Sequence, residues 1–315
     1  MPKAVRFTRY GGPEVLEVAE VTRPRAGHGQ VLVEVVAAAL NPGEIGIREG
    51  VFAAVWPAHF PEGQGNDFAG HVAEVGDGAD GFTVGDRVLG FAPRAAQAEF
   101  AVVGPGAVAP MPAGLGWAEA ASIAGAGATA WAGVEAVSPR RGETVVVSAA
   151  AGGVGVIAAQ LANLRGATVI GTASEGNFAF LRGFGIHPVA YGPGLAERLR
   201  VAAPAGVDAF IDTFGSGNVD VAIELGVSPA RINTIADGRA VQRYGVHSDA
   251  QEQADEPTIW ARLAEYAAKG ELTIPIARTY PLEDVREAYR DLATRHVSGK
   301  RVLAVKPFTA LEGNP

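Results

Sequence analysis

Cysteine is absent from all 315 residues. Its absence excludes disulfides, thiol nucleophiles and any zinc site built on thiolates, and it suits a reducing compartment. Long apolar runs are missing too: none reaches the ~18 residues of a membrane-spanning helix. The opening residues MPKAVRFTRYGG hold no apolar segment of the kind a secretory signal carries. A soluble, cytoplasmic protein with no membrane partner is the expectation. Positive charge is scarce, with 26 Lys and Arg against 34 Asp and Glu for a net charge of −8. The basic pairs Arg140-Arg141 and Lys300-Arg301 are scattered rather than gathered into a stripe, so no nucleic-acid partner is expected. No serine sits in a G-x-S-x-G elbow, which argues against a hydrolase of that type.

What the chain has in quantity is apolar residues, 48% of the total, and glycine, 42 residues. Its length exceeds one average domain, so two domains are expected. Glycine use is most telling in TVVVSAAAGGVGVIAAQLANLRGATVIGTAS, residues 144–174. Residues 144–148 read as a β-branched strand buried on both faces. Ala150-Ala151-Gly152-Gly153-Val154-Gly155 follows with dinucleotide-binding spacing, Ala150 standing in the first glycine's place. Val154, Ile157, Ala158, Leu161 and Leu164 share one face of the helix that should come next, and Gly166 is placed to end it. Residues 167–173 supply a second strand and close a βαβ unit. Gly152 and Gly153 permit close approach of a pyrophosphate, and the helix N-terminus offers it N–H groups and a positive dipole end. A carboxylate at the end of the second strand would bind the ribose of NAD and repel the 2′-phosphate of NADP. Gly171-Thr172-Ala173-Ser174 has none there, Glu175 comes too late, and Ser174 and Asn177 can donate to a phosphate. NADPH is favoured over NADH, its phosphate charge to be met from outside 174–178.

The first 117 residues read as mostly β. Short runs at 4–7, 16–19, 31–37, 68–75, 87–91 and 99–103 are separated by turn-forming clusters such as Gly11-Gly12-Pro13 and Asn41-Pro42-Gly43. From Trp117 the composition shifts to alanine and glycine, and a helical pattern leads into the nucleotide unit. Strands at 189–191, 207–213 and 231–235 then alternate with helices around 176–184, 194–202 and 218–225, the pattern of a doubly wound sheet. The acidic run at 249–256 reads as a solvated loop or helix start. A helix at 257–269, a strand at 273–277, a helix at 282–294 and a strand at 301–305 complete the chain, which should there rejoin the first domain. The fold class expected is α/β, a Rossmann-type doubly wound parallel sheet plus a mostly-β domain.

Several short motifs recur along this frame: Asn41-Pro42 with Ile47-Arg48-Glu49-Gly50, Asn66-Asp67-Phe68-Ala69-Gly70, and Val84-Gly85-Asp86-Arg87-Val88. After the glycine turn come Asp212-Thr213-Phe214-Gly215, Pro281-Leu282-Glu283-Asp284 and Gly299-Lys300-Arg301-Val302-Leu303. In this order and spacing the chain resembles, over nearly its whole length, the medium-chain dehydrogenases/reductases, in particular the zinc-free quinone oxidoreductase branch that includes zeta-crystallin. The resemblance implies a GroES-like catalytic domain from residues 1–117 and 266–315, a Rossmann domain at 118–265, a cofactor cleft and a homodimer.

Zinc-using relatives place Cys and His where this chain has Asn41 and Asn66. Glu44, His59, Asp67 and His71 lie near them in sequence, but their spacing forces no convergence, so no metal site is expected. Reducing a simple ketone without a Lewis acid forgoes several kcal/mol of charge stabilisation. Quinones and α,β-unsaturated carbonyls spread that charge themselves, so hydride transfer from NADPH to such a small molecule is the implied reaction. The Asn41 amide is a candidate donor, against its reading as a turn cap. Thr129 matches the family position beside the nicotinamide, against a helix threonine bonding its own backbone. The proton would come from solvent, or from Asp67 or Glu44 if either is buried and raised in pKa. Phe52, Trp56 and Phe60 form an aromatic stretch suited to a flat ring system, or a loop packing cluster. The resemblance carries cofactor contacts to Ala150, Gly152, Gly153, Val154, Gly155, Thr172, Ser174, Tyr191, Thr213, Ile235 and Lys300, and Asn177 stands where relatives have a lysine. Gly46 and Phe52 replace family tyrosines. Two alternatives stay open: an enoyl-thioester reductase, and a non-catalytic NADPH-binding structural or sensor protein.

Overall fold

The structure is a computed structural model that describes residues 1–248, 257–294 and 298–308. The chain divides into two compact units, one of Met1–Gly125, Asp255–Glu271 and Pro275–Pro315, the other of Ala126–Ala254 and Leu272–Ile274. The acidic run 249–256 lies outside the described residues.

The first unit is built on a seven-stranded sheet. Its two long strands, Val31–Ala39 and Asp67–Val75, pair antiparallel with Asp67 opposite Ala39. The run VLVEVVAAA is buried at every position but Glu34, which is why it reads as a near-continuous apolar stretch. Arg87–Phe91 and Val108–Pro110 extend the sheet beyond Asp67–Val75, while the other edge of Val31–Ala39 pairs with Phe100–Val103 at one end and at the other with Lys300–Ala304, which Ile276–Pro281 joins. A smaller sheet pairs Lys3–Phe7 with Glu17–Glu20 and Glu62–Gly63. The helix Val285–Thr294 buries Val285, Ala288, Tyr289 and Leu292, the three-and-four spacing of one face, against a core that includes Phe7, Leu40 and Leu303.

The second unit carries five parallel strands in the spatial order His187–Ala190, Thr168–Ala173, Thr144–Val147, Ala209–Asp212, Ile232–Thr234. The order reverses direction after Thr144–Val147, which makes the carboxyl ends of that strand and of Ala209–Asp212 a topological switch point, the place where open α/β sheets take ligands. Helix Gly153–Leu164 follows the first of these strands and stops at Gly166, whose φ of +84° is the left-handed cap expected there.

Two local expectations are corrected. Asn41-Pro42-Gly43 is not a simple turn: Pro42–Arg48 is a helix, with Pro at its first position and the Glu44 carboxylate reaching back to the Asn41 N–H at 3.1 Å. The strand placed at 273–277 begins instead at Ile276. The Thr273 N–H and carbonyl are both taken by the Gln160 side-chain amide (2.9 and 2.8 Å), so they are withdrawn from a ladder, and Pro275 has no N–H to contribute.

Candidate active site

At the switch point of the second unit the backbone turns sharply between strand and helix. Ala149 adopts φ +44°, so the left-handed residue of the turn is Ala149 rather than Ala150. The Ala149 N–H is held by Thr172 Oγ1 (3.2 Å), its carbonyl accepts from the Gly152 N–H (2.8 Å), and the Ala150 N–H goes to the Thr172 carbonyl (3.0 Å). Ala150 is thereby spent on the sheet, its methyl group facing Gly171, where a Cβ would sit 2.6 Å away. A Cβ on Gly155 would lie 2.4 Å from the Ala149 carbonyl oxygen, so only glycine lets the helix start this close to the turn. Gly152 caps that helix without any side-chain hydrogen bond, leaving the first-turn N–H groups to a ligand. These groups fit a dinucleotide pyrophosphate.

Beside the turn lies a buried knot that sequence reasoning missed. Asp212, fully buried, accepts from Ser148 Oγ (2.6 Å), Thr234 Oγ1 (2.8 Å), Asn218 Nδ2 (3.1 Å) and the N–H groups of Phe214 and Gly215 (3.1 and 3.0 Å). Thr213 is drawn in, its N–H on Ser148 Oγ (2.9 Å) and its hydroxyl on the Ser148 carbonyl (2.7 Å), and the Ile235 N–H donates to the Asp212 carbonyl (3.0 Å). Thr213 and Ile235 thus stand at the ends of strands flanking the glycine turn. Ser174 and Tyr191, both exposed, follow the two strands on the other side, and Asn177 donates to Ser174 Oγ (3.1 Å). Thr129 sits in the first turn of helix Ala128–Val137, directly after a π-helical turn at Ile123–Gly127. Its hydroxyl makes no hydrogen bond to another described residue, so it is not the self-bonded helix threonine.

The first unit holds the second cluster. The Asn41 amide is oriented by opposite charges: Oδ1 accepts from the Lys300 ammonium at 2.6 Å, and Nδ2 donates to Asp67 Oδ2 at 2.9 Å and Glu44 Oε1 at 3.3 Å. Both N–H bonds are therefore engaged inside the protein. This corrects the expectation that Asn41 is a free donor; its amide is a clamp between a cation and two carboxylates. Lys300, fully buried, also donates to the Leu40 carbonyl (2.9 Å), so its ammonium is committed here rather than open to a cofactor. Burial lowers its pKa, with Asp67 and Glu44 opposing that shift. Glu44 accepts from the Tyr289 hydroxyl (2.6 Å), the Asn41 N–H (3.1 Å) and the Asn66 N–H (3.1 Å). Burial pushes the Glu44 carboxyl up to about 7; the Tyr289 hydroxyl pulls against that rise, Asp67 adds to it, and the Asn41 N–H and Lys300 resist it. Asp67 is fully buried with Gly125 packed on it, where a Cβ would fall 2.3 Å from Oδ2.

His59 is exposed in its loop, and His71 lies edge-on to Trp117 with Nδ1 3.3 Å from the Gly85 carbonyl. Among the described residues no three His, Cys, Asp or Glu converge as a metal would need. With Asn41 already bonded to an ammonium, this donor set does not fit zinc. Phe52, Trp56 and Phe60 are 44%, 43% and 42% exposed on one loop. Phe60 meets Phe7 and Tyr10 edge to face, and the Phe52 ring covers Gly46, where a Cβ would lie 2.9 Å from it.

Residues 27–129 match the alcohol dehydrogenase GroES-like domain and residues 185–303 the zinc-binding dehydrogenase family. The quinone oxidoreductase of Rattus norvegicus is 30% identical over 320 residues, covering 95% of this chain and 95% of that protein. Among solved structures, an NAD-dependent alcohol dehydrogenase is 30% identical with a TM-score of 0.82, over 96% of this chain and 100% of the other. A mycobacterial protein, Rv1454c, solved in complex with NADPH, is 26% identical with a TM-score of 0.85, over 96% of this chain and 100% of that one. No described helix is long and apolar enough to cross a membrane. With both halves of the fold matched and a nucleotide-binding turn in place, the chain belongs to the medium-chain dehydrogenase/reductase superfamily and is an oxidoreductase.

Proposed function

We propose that the chain transfers hydride from NADPH to a quinone or an α,β-unsaturated carbonyl without zinc. The observation that carries this reading is the Lys300 ammonium on Asn41. That ammonium is spent on Asn41 and the Leu40 carbonyl, which supports an acceptor that delocalises for itself the charge hydride brings. Bound NADPH would supply the hydride. The glycine turn and the open first turn of Gly153–Leu164 would hold its pyrophosphate, and Thr213 and Ile235 would border it at the neighbouring strand ends. Ser174, which follows the strand directly and precedes the first carboxylate, Glu175, favours with Asn177 a 2′-phosphate over a bare ribose. Thr129, with its hydroxyl uncommitted, would contact the nicotinamide or the acceptor oxygen. The aromatic loop would receive a flat acceptor.

NADPH oxidation tests this with a panel of a naphthoquinone, an acyclic enone, an enoyl thioester and a simple ketone. Turnover of the first two above the last supports the proposal. Binding of NADPH with no turnover on any acceptor would instead favour a sensor protein.

A further inference from the structure

Arg94 is buried although the loop it serves is exposed, and nothing in the reading above uses it. Its φ of +58° is left-handed, an uncommon conformation for a residue with a side chain, and its N–H donates to Asn66 Oδ1 at 3.0 Å. The guanidinium then spans the base of the aromatic loop. Nη1 donates to the Pro57 carbonyl (2.8 Å) and to Glu62 Oε2 (2.9 Å), and Nη2 to the Trp56 carbonyl (2.8 Å). The same group lies 4.1 Å from the centre of the Trp56 ring. One face of the indole is thus fixed on a cation, while the residue keeps 43% of its surface exposed. A fork that binds two successive carbonyls, a carboxylate and the ring itself sets both the path of the loop and the tilt of the ring. Strained backbone persists where its surroundings over-determine it, and here Asn66 and the loop carbonyls do so. The Asn66 N–H is on Glu44, so the clamp is anchored to the buried acid cluster.

We propose that Arg94 is a positioning residue that presents Trp56 as a stacking platform for a planar acceptor, selecting quinones over acyclic enones. The inference rests on the reductase reading above and names the acceptor class of that site. An indole whose orientation is fixed on one side offers a flat ring a ready-made stacking surface, which an acyclic chain cannot use as fully.

The test measures steady-state NADPH oxidation with menadione and with an acyclic enone for the wild type, Arg94→Met, Arg94→Lys, Trp56→Leu and the Arg94→Met/Trp56→Leu double variant. Arg94→Met should raise KM for menadione about tenfold with kcat nearly unchanged, and leave KM for the enone and the Kd for NADPH as they were. Arg94→Lys keeps the charge but loses the fork, so it should fall between wild type and Arg94→Met. The double variant should be no worse than Trp56→Leu alone, because Arg94 acts through that ring. Glu62→Gln, which leaves Arg94 in place, should move KM in the same direction by less, and covers the case that Arg94→Met does not fold. Equal losses on both acceptors, or additive effects in the double variant, would overturn the proposal. If the wild type reduces no quinone, the reductase reading fails separately. Menadione binding measured by titration then reads Arg94 directly, and equal affinity in wild type and Arg94→Met would reject its role.

Discussion

The Lys300 ammonium and the Asn41 side-chain oxygen lie 2.6 Å apart in the buried polar cluster of the first unit. Lysine can only donate, so this contact fixes which end of the Asn41 amide faces Asp67. The cluster is charge-compensated: a cation, an amide relay and two buried carboxyl groups. Removing Lys300 leaves that amide and Asp67 without their counter-charge. Lys300→Met should cost about 3 kcal/mol of stability, measured by urea unfolding, because it breaks a buried charged hydrogen bond. A loss below 0.5 kcal/mol, the range of ordinary surface changes, would show that the ammonium does not organise the site.

Glu44 gives the cluster a pH dependence. Its pKa rises from 4.5 to about 7 in the folded protein, chiefly by burial. A carboxyl with a higher pKa folded than unfolded favours the fold when protonated. That contribution is complete below 4.5 and is lost as pH rises through about 7. Across this window the wild type should lose about 3 kcal/mol relative to Glu44→Gln. Parallel unfolding curves for the two proteins at pH 5 and pH 8 check it, and an unchanged difference between them contradicts it.

The glycine turn makes two predictions of opposite sign. Gly155→Ala places a methyl group against the Ala149 carbonyl, and the turn must shift. NADPH affinity should fall at least about tenfold, with a stability loss of about 2 kcal/mol. Ala149→Gly removes a left-handed alanine and should gain up to about 1 kcal/mol. Calorimetric titration and thermal unfolding measure both.

Cofactor choice turns on the end of strand Thr168–Ala173. Ser174 is exposed, so an acid there can reach the ribose without entering the core. Ser174→Asp should weaken NADPH at least about tenfold while leaving NADH equal or tighter, because the carboxylate repels a 2′-phosphate and accepts from a 2′-hydroxyl. Wild-type protein that binds NADH more tightly than NADPH would reverse the cofactor assignment.

The parallel sheet and its glycine turn were legible in the sequence because each depends on local chemistry: β-branched runs, small residues at a close approach, and Gly166 after the helix that follows the turn. The acid cluster was legible only in part. Asn41, Glu44 and Asp67 stand out as neighbours in two motifs, but Lys300 and Tyr289 come from the far end of the chain. The antiparallel pairing of Lys300–Ala304 with Val31–Ala39 brings Lys300 close to Asn41, and no local pattern encodes that register. Asp212 was hidden for the same reason, its partners Ser148 and Thr234 lying on two other strands. The helix at Pro42–Arg48 had a readable signal in Asn-Pro-x-Glu, an N-cap, a first-turn proline and an acid three residues on, which the turn-like Asn-Pro-Gly masked.

Metal-free hydride transfer from NADPH to menadione, followed after exhaustive chelation and with the zinc content of the same sample measured, tests the account most directly. Full turnover at a zinc content far below one ion per chain is the result predicted by a cluster that carries Lys300 as its cation. Activity lost to the chelator and restored by zinc would contradict it.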